Sequence, residues 1–176
     1  MQVTINYFNY YKFLIAMRKA CFAIVLLCAA MVCGKAQDLS ALSRAARLSF
    51  VYLQDEGYKP VIDDDLDVVF KAEGYTFYID NNTDDSTYLR IVMPIIKSLG
   101  DDPEVSELFA AMVVCNEMTR EKKLVKAYLT DDGKVSLSAE TYIGSSPDIS
   151  EFIDTAINFM KRVRSSWLEK YNDLMD

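Results

Sequence analysis

The chain has 176 residues, 51% of them apolar, and a formal net charge of −7. That length suits one ordinary domain with a packed core that needs no disulfide or metal to hold it. It contains no histidine, which removes the commonest general base, the usual partner of a nucleophile and the commonest transition-metal ligand, leaving carboxylate or tyrosine chemistry open.

Residues Met17 to Gln37 read as a secretory signal. Arg18 and Lys19 precede an apolar run of 13 residues, Ala20 to Val32, which is too short to span a bilayer. Gly34-Lys35-Ala36 then offers small residues for cleavage before Gln37. Residues 1–36 are therefore expected to be removed, with Met17 as the start, and the remainder to be periplasmic or secreted. Lipid anchoring through Cys33 is the alternative. After cleavage no stable membrane insertion is expected. Lys12, Arg18, Lys19 and Lys35 all lie in this acid-free stretch, so 37–176 holds 15 basic residues against 26 acidic ones. Such a surface repels nucleic acid. Of four cysteines only Cys115 remains, flanked by apolar residues, which reads as a buried inert thiol.

Along 37–176 the periodicity predicts a first helix from about Leu39 to Glu56, with Leu39, Leu42, Ala46, Phe50 and Leu53 inward and Gly57 just past its end. Leu66, Val68, Phe70 and Ala72 then alternate with Asp67, Val69, Lys71 and Glu73 as a strand. Glu73-Gly74 turns the chain into Tyr75, Phe77 and Ile79. A polar loop, Asn81 to Ser86, leads to a strand with Leu89, Ile91 and Met93 on one face, ended by Pro94. Asp102-Pro103-Glu104 opens a second helix whose stripe Val105, Leu108, Phe109, Met112 and Cys115/Asn116 is expected to face inward. A hairpin around Asp131-Asp132-Gly133 joins two further strands. Ser146-Pro147 starts a last helix with one apolar stripe from Ile149 to Leu174. The order α-βββ-α-ββ-α, with short turns between strands, predicts a single α+β domain: a two-layer sandwich with an antiparallel sheet of about five strands.

Asp55-Glu56-Gly57-Tyr58-Lys59-Pro60, the acidic run Asp63-Asp64-Asp65-Leu66-Asp67-Val68-Val69-Phe70-Lys71, then Glu73-Gly74-Tyr75 and Tyr88-Leu89-Arg90-Ile91, with Asn116, Lys122, Lys123 and Lys126, carry a resemblance. The chain resembles the YbjN-like proteins, whose domain has the fold of type III secretion chaperones. Leu66 stands where that family often has glycine. The resemblance implies a partner-binding domain, because chaperones of this fold bind extended client segments and dimerise; it brings no catalytic residue.

The residues give little independent chemistry. Asp63, Asp64, Asp65 and Asp67 lack the glycine and glutamate positions of a calcium loop and read as a solvated turn. No pair of acids is singled out for hydrolysis, and no glycine run cradles phosphate. Asn81-Asn82-Thr83 is a formal glycosylation sequon, and Asp85-Ser86-Thr87 resembles a bacterial O-glycan acceptor. Strand parity places Val69, Lys71, Tyr78, Tyr88, Arg90, Val92, Lys126, Tyr128 and Tyr142 on the sheet face away from the core. Tyrosine and arginine are enriched in interfaces, so Tyr78, Tyr88, Arg90, Lys126, Tyr128 and Tyr142 form the expected interaction face. The expectation is a non-catalytic, chaperone-like interaction module with a protein or peptide partner, including a homodimer, and no cofactor or metal. The alternative is a small-molecule or glycan-binding or processing protein using carboxylates and tyrosines, for which a deep cleft with convergent acids would speak.

Overall fold

The structure, a computed structural model, describes residues 38–144 and 149–176. The export segment and the Ser146-Pro147 helix start lie outside the described residues. Residues 39–176 form one compact unit.

The first helix is shorter than its periodicity suggests. Ser43 takes an extended ψ of 162°, and its hydroxyl accepts the Ala46 N–H at 3.2 Å, so the α-helix begins at Arg44. Leu39–Ala41 is a separate 3₁₀ turn before it. Helix α1, Arg44–Asp55, then ends as expected. Gly57 adopts φ +84°, its N–H bonds to Gln54 and the Tyr58 N–H to Leu53, closing the free carbonyls of the last turn.

Six strands follow in one antiparallel sheet: β1 Val61–Ile62, β2 Val68–Ala72, β3 Tyr75–Ile79, β4 Tyr88–Ser98, β5 Val125–Leu129 and β6 Lys134–Tyr142. Their spatial order is β1-β2-β3-β4-β6-β5. The sixth strand is β1, two residues after Pro60 that pair with Val69 and Val68. Leu66 is not part of β2; it sits at φ +69° in the preceding turn, 41% exposed. Glu73 and Gly74 both have positive φ, the geometry that lets two residues join twisted strands, and Ala72 pairs with Tyr75 across them.

Pro94 does not end β4. The pairing with β6 breaks between Met93 and Lys97, Ile95 swings to φ +51°, and the strand resumes to Ser98. A proline lacks the N–H a ladder needs, and the bulge puts it where the ladder is interrupted. Gly133 in the β5–β6 turn has φ +71°, and a Cβ there would lie 3.3 Å from the Gly100 carbonyl oxygen. Replacing Gly133 with valine should therefore lower stability by at least about 1 kcal/mol, read as a shift of the urea midpoint; an unchanged midpoint would mean that this turn relaxes freely.

Helices α2, Val105–Glu121, and α3, Ser150–Met175, complete the domain. The α2 start is set by Glu104, not Asp102: the Glu104 N–H donates to the Glu107 carboxylate at 3.0 Å. Helix α3 crosses β4, β5 and β6 and packs on α2, and α2 covers β5. The core lies between helices and sheet. Phe70, Phe77, Ile79, Leu89, Ile91 and Leu137 from the strands meet Leu53, Met118, Ile153, Met160 and Trp167 from the helices, all fully buried. The α3 stripe is inward as far as Tyr171, while Leu174 at its end is exposed. At the other edge of the sheet, the Thr119 hydroxyl on α2 accepts the Ala127 N–H at 2.9 Å and donates to the Ala127 carbonyl at 3.0 Å.

Candidate functional site

Parity along the strands brings the expected residues to one face. Tyr78 lies opposite Val92, Val92 opposite Ser138, and Ser138 opposite Lys126. One step along, Arg90 lies opposite Glu140. The Arg90 guanidinium donates to Asp80 at 2.8 Å and to the Tyr128 hydroxyl at 2.9 Å, and its Nε is 3.7 Å from Glu140. Lys126 holds the other Glu140 oxygen at 2.5 Å. Every direction of the arginine fork thus meets a partner of this chain.

The same residues shield the sheet. Val92 has no exposed surface, and Ser136 and Ser138 are buried, although all three point away from the helices. Burial pushes the Tyr78 phenol up to about 12, and the Tyr128 phenol rises for the same reason. Burial also pulls the Glu140 carboxyl upward, but hydrogen bonds from Lys126 and Tyr88 outweigh it and hold the group below its ordinary value. Tyr88 and Tyr142 form a second cluster on this face, with rings 5.5 Å apart; Tyr142 is 69% exposed. The six residues do share a surface. Around Arg90 that surface is an internally paired network.

The other motifs resolve into local structure. Asp63 accepts the N–H groups of Asp65 and Asp67, making the acidic run a turn. Asn81 is committed on both sides of its amide, accepting from the Ser43 N–H at 2.6 Å and donating to the Ala41 carbonyl at 3.3 Å. Thr87 donates its hydroxyl to Asp85, while Ser86 is exposed. Among the described residues no three acidic or thiol side chains gather as a metal site, and no helix is long and apolar enough to cross a membrane. Cys115 is buried against the indole of Trp167, and burial raises its thiol pKa. A cleft of about 390 Å³ lies between Gly57, Tyr58, Lys59 and Val61 on one side and Val69, Phe70 and Lys71 on the other. Lysines, not convergent acids, flank it.

The surface that sequence periodicity misplaced is on α2. The sheet and α3 receive its small residues, Ala110, Ala111, Val114 and Cys115, with Met118. Small side chains let the helix approach closely, and that choice turns the larger stripe outward. Val105 is 82% exposed, Phe109 68% and Met112 59%, with Val113 beside them. These positions recur at four- and three-residue steps, so they form one continuous apolar band on a solvent-facing helix surface. The signal was in the sequence. Helix α2 carries two apolar stripes, and only one can face the core.

No family model and no curated protein matches the sequence. Among solved structures, an uncharacterized protein from Methanothermobacter thermautotrophicus is similar over 73% of this chain and 97% of its own, with 14% identity and a TM-score of 0.48.

Proposed function

We propose that this chain is a non-catalytic protein-interaction module that acts after export. The observation that carries the reading is the apolar band Val105, Phe109, Met112 and Val113 on α2. Exposed Phe and Met side this large cost solubility, and such a band persists on a soluble domain when a partner covers it. The resemblance to the YbjN-like proteins and their chaperone fold supports the same class of role. The signal-like Met17 to Ala36 segment supports a periplasmic or secreted site of action.

Photo-crosslinking in intact cells tests this. A benzoylphenylalanine at position 109 should give a discrete protein adduct, and the same probe at Val51 on α1 should give none. Phe109→Glu should weaken whatever association wild type shows at least tenfold, with unchanged far-UV dichroism, because it places a charge in the centre of the band. Absence of any adduct at position 109, or equal association by the variant, would remove the band from the function.

A further inference from the structure

At the end of the sheet away from α2, we propose a binding site for a small N-acylated amino acid with an apolar side chain and a free carboxylate. It lies in the cleft lined by Lys59 and Lys71. Helix α2 covers β5, and β1 and β2 form the opposite end of the sheet. Bonded pairs recur every two residues in an antiparallel ladder. Asp63 donates to the Asp67 carbonyl at 3.1 Å and Val61 pairs with Val69, so the next pair in the series is Lys59 with Lys71. The pairing stops short of it, because Lys59 and Pro60 lie outside β1. Lys71 cannot turn to β3 instead. Ala72 and Tyr75 close the two-residue turn, so Val68, Phe70 and Ala72 direct their backbone groups to β3, and Val69 and Lys71 direct theirs away from it. The Lys71 N–H and carbonyl therefore face the cleft, with no backbone partner among the described residues. This free edge is one residue long. Val69 is taken by Val61 on one side, and Glu73 on the other is already in the turn.

An N–H and a carbonyl side by side are matched by one residue of extended backbone, which offers its own oxygen and N–H at the same spacing. One residue is all this edge accepts, so the ligand is a small molecule and not a length of strand. Its amide N–H donates to the Lys71 carbonyl, and a carboxylate oxygen accepts the Lys71 N–H. Charge selects the carboxylate. Residues 37–176 hold 26 acidic side chains against 15 basic ones, and Lys126, Lys134, Lys161 and Lys170 each hold a carboxylate of this chain. Lys59 and Lys71 hold none among the described residues, and Glu73, the acid nearest to Lys71 in sequence, is paired with Lys161. Their ammonium groups, on flexible stems, are free to close on the second carboxylate oxygen. A free amine in place of the amide would set a third cation beside them, which selects the acylated form. An antiparallel partner projects its side chain to the same face as the residue it pairs with, here the face shared by Lys71, Val69 and Val61. Val61 is 49% exposed there, and Tyr58 also lines the cleft of about 390 Å³. An apolar side chain on the ligand covers them. A ligand of about 15 heavy atoms should bind with Kd on the order of 0.1–1 mM.

Amide NMR titration of the purified protein with N-acetylphenylalanine tests the site. The Tyr58, Val61 and Lys71 amide signals should shift saturably, Lys71 most, because its N–H gains a charged acceptor. N-acetylphenylalanine amide, which lacks the carboxylate, should bind at least tenfold more weakly, and phenylpropanoate, which lacks the amide, at least threefold. Lys59→Gln with Lys71→Gln should weaken the probe at least tenfold, and so should Val61→Asp, which sets a like charge beside the carboxylate. All three side chains are exposed, so far-UV dichroism should stay native. No shift at Lys71 with the probe at about 10 mM, well above the expected Kd, overturns the inference. Equal binding of the probe and its amide does the same. So does an N-acetylated pentapeptide ending in phenylalanine that binds more than tenfold tighter than the probe, since the edge then takes a strand. None of these outcomes bears on the α2 band, which stands or falls on position 109.

Discussion

Trp167→Ala should destabilise the domain by about 4 kcal/mol, within the range of roughly 3–5 for removing a large buried aromatic. Trp167 is fully buried where α3 meets α2, and its ring stacks on Tyr171 with centroids 5.0 Å apart. Cys115 on α2 lies against the indole, so alanine would leave a cavity between the two helices. The indole Nε1 makes no hydrogen bond of ordinary geometry. Trp167→Phe should therefore cost far less than alanine, because no polar partner is orphaned. Denaturant unfolding of the two variants is the check. A loss below about 1.5 kcal/mol for alanine would mean that the α2–α3 contact repacks.

Arg90→Ala should cost about 2 kcal/mol. It removes charge-assisted bonds to Asp80 and Tyr128 and leaves two partly buried carboxylates, Asp80 and Glu140, facing each other's side of the gap. The groups keep about a quarter of their side-chain surface in water, which holds the loss below that of a fully buried pair. Arg90→Lys should recover less than half, since one ammonium cannot span three directions. The pH dependence has a definite sign. Glu140 titrates below its unfolded value, so its stabilisation is present above the ordinary carboxylate range and is lost as pH falls through the folded pKa. Because Lys126 supplies the main bond that holds Glu140 down, wild type and Lys126→Met should differ near neutrality and converge in acid. Parallel urea midpoints from about pH 7 down to about pH 3 would contradict this account. If Arg90→Ala unfolds easily yet associates like wild type, the tyrosine-arginine face is a brace for the sheet and binding belongs to α2.

Most of the fold was legible because alternation and the 3.6-residue repeat are properties of the backbone itself. That is why strand parity alone puts Tyr78, Arg90 and Tyr128 on one face, and why Gly57, Gly74 and Gly133 mark the positions where φ turns positive. The failures are equally local. β1 is two residues beside a proline, too short to show a period. Pro94 reads as a stop, and nothing in the sequence announces a bulge that absorbs it. For α2 the larger side chains outweighed Ala110 and Ala111, although small residues are what permit a helix to lie close to a sheet. The pairing of Arg90 was invisible for another reason: Asp80 and Glu140 are 10 and 50 positions away, and only strand register brings them to it.

The two ends of the sheet limit how copies of this protein can meet. On β5, the Thr119 hydroxyl occupies the outward N–H and carbonyl of Ala127, so an incoming strand finds those groups taken. At the other end β1 offers only Val61 and Ile62, with Pro60 before them and Lys59 and Lys71 alongside. Short strands, proline and lysine are what oppose edge-to-edge growth. Backbone templating, the route to fibrils and strand swapping, is opposed at Ala127 on one edge and by Pro60 and the lysines on the other. Association through an apolar helix is then a matter of side chains, which close on a partner, and not of strand addition, which leaves a fresh edge open for the next copy.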